Sequence, residues 1–154
     1  MAKRKYTGWD GNASGYRKGT EQLKRWVLFL NGGKIKNYGS FQIRPAGGDK
    51  TKWSVHGTGR AVDYGYSNRE DGLALIDFFV RNAEALGVEL VNDYVYGKHG
   101  RTWKCDREAW VEHKKNVIGR GGNWVHVEIS NAVADDPAYV DAVIACLLSP
   151  VKDA

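Results

Sequence analysis

The segment Trp124 to Ser130 alternates without a break. Val125, Val127 and Ile129 fall on one side of an extended chain, and Trp124, His126, Glu128 and Ser130 fall on the other. Such a strand can place only one face on a hydrophobic core, which excludes a parallel sheet covered on both sides and requires a sheet with an open face. Arg60 to Tyr66 has the same character, with Ala61, Asp63 and Gly65 on one side and Val62, Tyr64 and Tyr66 on the other. In both strands a side chain able to hold a proton or a metal stands on the face turned away from the core.

The helices implied by the remaining apolar spacing supply the cover for the other face. Thr20 is expected to cap a first helix in which Leu23, Trp26, Val27 and Leu30 form one stripe, stopped by Gly32-Gly33. Ser67 to Glu70 has capping-box form, and Leu73, Ile76, Phe79, Val80 and Ala83 continue as a second helix ending at Gly87. Asp136-Pro137 opens a last helix with Val140, Val143, Ile144 and Leu147 on one face. Phe41 to Pro45 and Val88 to Tyr96 read as further strands, and Arg107 to Lys115 reads as a short helix in an otherwise aperiodic stretch. These elements follow no βαβα rhythm. The expected fold class is α+β, with a small, mainly antiparallel sheet, helices packed on one face and a functional site on the other. Residues 1–19 form a basic, glycine-rich arm and residues 20–154 a single domain, which suits a chain of 154 residues.

No apolar run approaches the roughly 20 residues of a bilayer span, and Met1 to Tyr6 lacks the apolar segment of a secretory signal. The chain therefore reads as synthesised in the cytoplasm, without a signal peptide or membrane span, and as a monomer. A net charge of +5 and the Lys3-Arg4-Lys5 run favour a polyanionic partner, either nucleic acid or an acidic cell-wall polymer. Nucleic acid is the weaker choice, because no nucleic-acid-binding motif accompanies the charge. Cys105 and Cys146 have no ligand spacing and read as reduced thiols.

The chemistry centres on Ser54-Val-His56-Gly-Thr-Gly59-Arg-Ala61-Val-Asp63, joined by Trp124-Val-His126. Two His and one Asp make the three-ligand set of a catalytic zinc site, which keeps a coordination position open. The pattern Ser-x-His-x-x-Gly-x-Ala-x-Asp resembles the first motif of the zinc D-alanyl-D-alanine carboxypeptidases and the phage L-alanyl-D-glutamate endolysin peptidases, and the later Trp-x-His is similar to their third-ligand strand. The resemblance covers roughly residues 40 to 130. It implies zinc held by His56, Asp63 and His126, with Arg44 binding a substrate carbonyl or carboxylate and Ser54 beside the metal. The implied activity is that of a phage endolysin: hydrolysis of peptide bonds in bacterial peptidoglycan stem peptides, after release to the cell wall.

One position departs from this family. The Glu or Asp that moves the proton stands three residues before the last ligand, and here that position is Asn123, whose amide cannot act as a general base. Glu128, two positions beyond His126 on the same strand face, is one substitute base. Alternatively Asn123 replaces a natural Asp, or the chain is a catalytically inactive zinc-fold binding module, as the related hedgehog domain implies.

Overall fold

The computed structural model describes residues 2–151. It is an α+β structure whose six strands form one antiparallel sheet: β1 (Ile35–Gly39), β2 (Ala61–Tyr66), β3 (Val88–Asp93), β4 (Arg101–Lys104), β5 (Ala109–Glu112) and β6 (Trp124–Ile129). The spatial order is β1-β2-β6-β3-β4-β5, so the two strands with the clearest alternation, β2 and β6, lie side by side near the middle. Five helices accompany it: α1 (Lys18–Leu30), α2 (Arg69–Arg81), α3 (Ala83–Leu86), α4 (Asn131–Ala134) and α5 (Pro137–Leu148). No helix among the described residues is long and apolar enough to cross a membrane.

One face of the sheet makes the core. Val62, Tyr64 and Tyr66 of β2 and Val125, Val127 and Ile129 of β6 pack with Leu23 and Val27 of α1, Leu75, Ile76 and Phe79 of α2, and Val140 and Ile144 of α5. Phe79, Val125 and Ile144 are fully buried, and each such side chain contributes about 1.5–3 kcal/mol by leaving water. Asn68 caps α2 by accepting from Glu70 N–H, and Asp136 caps α5 by accepting from Tyr139 N–H with Pro137 in the first turn. Gly87 ends α3 at φ 66°, in the left-handed region that glycine enters without strain.

Several expected elements differ. Thr20 is not a cap: α1 starts at Lys18, and the buried Thr20 hydroxyl donates to Gly59 C=O at 2.6 Å, tying the helix to the loop before β2. Beside it, a Cβ on Gly19 would lie 1.9 Å from Val133 C=O, so only glycine lets α1 approach α4 this closely. Ile35–Gly39, unread as a strand, pairs with β2 at the sheet edge, where Lys36 and Asn37 lie exposed and hide the alternation. Phe41 to Pro45 is not a strand: besides single backbone bonds from Gln42 N–H to His56 C=O and from Ser54 N–H to Arg44 C=O, it forms the isolated Pro45–Trp53 bridge. The second helix breaks at Asn82, whose side-chain amide donates to Phe78 C=O. β3 ends at Asp93, before Tyr94 to Tyr96 turn away. Arg107 to Lys115 is no helix; β4 and β5 form a hairpin there, turning through Glu108 at φ 50°. On α5, Val140 and Ile144 are buried while Leu147 is exposed.

Residues 2–17 of the basic arm have no regular secondary structure, while Lys18 and Gly19 already belong to α1; the arm is nonetheless fastened to the sheet. Arg4 donates to Val88 C=O, Thr7 donates to Glu89 through both N–H and hydroxyl, and Gly8 C=O accepts from Arg60.

Candidate metal centre

The loop before β2 delivers the first donor. Ser54 Oγ accepts from His56 N–H at 3.3 Å and caps a 3-10 turn, Val55–Thr58, which Gly59 ends at φ 73°. That turn points His56 over β2, where the backbone reverses into Ala61 and the pleat turns Asp63 to the same face. Asp63 and His126 are direct partners across β2 and β6. Asn92 of β3 is the partner of His126 on the other side. Two registered strands and a capped turn therefore hold His56, Asp63 and His126 with one donor atom from each within 4.8 Å of the others.

His126 Nδ1 donates to Asp63 Oδ1 at 2.9 Å, and its Nε2 donates to Glu128 Oε1 at 2.9 Å. Burial works against a charged ring, but Tyr94 and the bonds to Asp63 and Glu128 prevail and hold the His126 pKa well above that of a free imidazole. Burial likewise opposes the Asp63 carboxylate, which His126 and then His56 hold far below the usual carboxylate range. His56 Nε2 lies 3.1 Å from Asp63 Oδ2 but is misaligned with it, and it is buried without a hydrogen-bond partner. A buried nitrogen left without a partner is costly, and a cation among the three donors would satisfy it. The donor set fits that role: two imidazoles and one carboxylate are a borderline metal's ligands, with Glu128 as the outer carboxylate that orients His126.

These residues lie on the floor of a cleft of about 1090 Å³. Arg44 and Ser54 line it, and backbone bonds join their segments: Ser54 N–H donates to Arg44 C=O at 2.9 Å and Ala46 N–H to Lys52 C=O at 2.8 Å. Lys52, Lys104, Lys115 and Arg120 add positive charge to its walls. Over it two loops meet backbone to backbone; a Cβ on Gly48 would lie 1.8 Å from Val117 C=O. Trp9 and Trp53 stack at 6.3 Å between ring centroids, both partly exposed.

Asn123 stands apart from this assembly. It is exposed at the entry to β6, and its backbone C=O accepts from Tyr66 N–H. Both oxygens of Glu128 are engaged, Oε1 by His126 and Oε2 by the Tyr6 hydroxyl at 2.7 Å. His113 lies outside the centre, with Nε2 2.7 Å from Thr102 Oγ1, whose hydroxyl donates to Asn92.

Sequence reasoning missed Tyr6, Arg60, Glu89, Asn92 and Tyr94. Arg60 left one signal, since it shares the strand parity of Val62 and Tyr64, where a charge must find a buried partner. It is fully buried, donating to Ile129 C=O at 2.8 Å and lying 3.4 Å from Glu89 Oε2 and 3.3 Å from Asp10 Oδ1. Tyr6 left none, because its partner lies 122 positions away.

Comparison with protein-family models, with characterised proteins and with solved structures finds no match. The class defined here is thus an α+β protein with a buried His-Asp-His group able to hold a metal ion.

Proposed function

We propose that the chain is a zinc-dependent peptidase of the phage endolysin type, cleaving peptide bonds in bacterial peptidoglycan stem peptides. The observation that carries this reading is the convergence of His56, Asp63 and His126, with an unpartnered His56 nitrogen, on the floor of a basic cleft. Zinc would supply Lewis acidity toward the scissile carbonyl. His56, Asp63 and His126 would hold it, and Glu128 would keep His126 Nε2–H engaged so that Nδ1 stays turned toward the Asp63 side. Arg44 would grip a substrate carbonyl or carboxylate from the cleft wall, and Ser54 would fix the turn that carries His56. The surrounding Lys52, Lys104, Lys115 and Arg120 favour a peptide that carries carboxylates.

A second reading, a catalytically inactive zinc-fold binding module, is favoured by what stands at the two base positions, Asn123 and Glu128. The Asn123 amide cannot accept a proton, and Glu128 is committed to His126 and Tyr6. The two readings part in one assay. Protein loaded with zinc and incubated with peptidoglycan releases new amino termini if it is a peptidase. Turnover gained only with Asn123→Asp means that the scaffold is intact and the base alone is missing. No release from either form, with zinc bound to both, refutes the peptidase and leaves the binding module.

A further inference from the structure

The N-terminal arm does more at the cleft than cover a sheet. Tyr6 stands between two anchored neighbours: Thr7 donates to Glu89 through N–H at 3.3 Å and Oγ1 at 2.8 Å, and Gly8 C=O accepts from Arg60. Lys104 Nζ sits 4.4 Å from the centre of the Tyr6 ring and holds it from outside. So placed, the Tyr6 hydroxyl donates to Glu128 Oε2 at 2.7 Å, while Glu128 Oε1 accepts from His126 Nε2 at 2.9 Å. Glu128 is only 4% exposed, so water cannot replace a lost partner. The carboxylate that aims a ligand imidazole is thus itself aimed by a residue at the far end of the chain.

We propose that Tyr6 is a positioning residue of the metal centre, its hydroxyl fixing the Glu128 carboxylate that in turn fixes His126. The assignment rests on the reading of His56, Asp63 and His126 as zinc ligands. The arm keeps its other attachments without the hydroxyl, at Arg4, Thr7 and Gly8, so Tyr6→Phe leaves the arm docked and frees one oxygen of Glu128. An ordinary anchor would not behave this way: loosening the arm at Thr7 would then matter as much as removing the Tyr6 hydroxyl.

The test is zinc affinity of the full chain, measured by competition with a chromogenic chelator. Losing an outer partner of a ligand costs about 10- to 100-fold in metal affinity. Glu128→Ala is expected to span that range, Tyr6→Phe to fall near its lower end at about 10-fold, and Thr7→Val to match the wild type. In the Glu128→Ala background, Tyr6→Phe is expected to add nothing, because the group it acts through is gone. The cobalt(II)-loaded protein should show a shifted visible absorption band in Tyr6→Phe and an unshifted one in Thr7→Val. Equal zinc affinity of wild type and Tyr6→Phe overturns the proposal, as does an equal loss in Thr7→Val or full additivity with Glu128→Ala. Absence of zinc binding by the wild type is a different result, which removes the zinc reading itself.

Discussion

Arg60→Met keeps a long side chain in place and deletes its charge, which isolates what the buried guanidinium contributes. In the wild type that group lies fully buried, donating to Ile129 C=O and Gly8 C=O and facing Glu89 at 3.4 Å. Glu89 is itself only 4% exposed, so the variant leaves a carboxylate in the interior with only Thr7 to bind it. Breaking a buried pair from one side costs about 3–5 kcal/mol. The two bonds from Thr7 place this case at the low end, about 3 kcal/mol. At about 2–4 °C per kcal/mol for a domain of this size, the melting temperature should fall by about 6–12 °C. Calorimetry measures that fall, and amide exchange over residues 4–10 should rise with it, since Gly8 loses its anchor. Arg60→Met/Glu89→Gln should recover part of the loss, because the stranded charge is gone. A fall under about 2 °C, with the arm still protected, would refute the assignment of Arg60 as the clamp between arm and sheet.

Two further outcomes follow from the same contacts. Zinc at 100 times its dissociation constant should stabilise the fold by about 2.7 kcal/mol, a rise of about 5–11 °C in melting temperature that a chelator reverses and His56→Ala abolishes; an equal rise in His56→Ala would place the ion elsewhere. Gly48→Ala puts a methyl group 1.8 Å from Val117 C=O, so the two loops above the cleft must part. The cost is about 1–3 kcal/mol, and proteolysis within residues 46–52 and 115–120 should quicken; unchanged cleavage would mean that the loops do not close on each other.

Legibility in the sequence followed the range of the force that decides each feature. β2 and β6 were readable because alternation is a local pattern, and it named the open face, and hence Asp63, His126 and Glu128 together, before any register was known. The same reasoning failed for β1, where Lys36, Asn37 and Tyr38 lie exposed at an edge and carry no period. It failed again over Arg101 to Glu112, a hairpin whose residues Trp103 and Trp110 are paired across strands rather than along a helix. Thr20 resembled a cap because caps are local, yet its hydroxyl is engaged 39 positions away. The arm was read as irregular, but its attachment to Glu89, Arg60 and Glu128 depends on strands that the sequence does not place beside it.

Charge balance is consistent with a divalent cation on the open face. Asp63 and Glu128 both hold their carboxylates below the ordinary range, each by bonding to His126 against the opposing effect of burial. With neutral imidazoles, these two largely buried carboxylates would leave two negative charges in a medium that tolerates them poorly. Arg60 does not settle the account, since Glu89 claims it at 3.4 Å. A proton on His126 cancels one charge and leaves His56 Nε2 without a partner. A monovalent cation would also cancel one. His56, Asp63 and His126 could together hold a divalent cation, which would cancel both charges and give the His56 nitrogen a partner; His126 Nδ1 would then have to give up its proton, while Glu128 would keep the one on Nε2. With Oε1 on His126 and Oε2 on Tyr6, Glu128 would in that case add to the charge and the orientation of the centre.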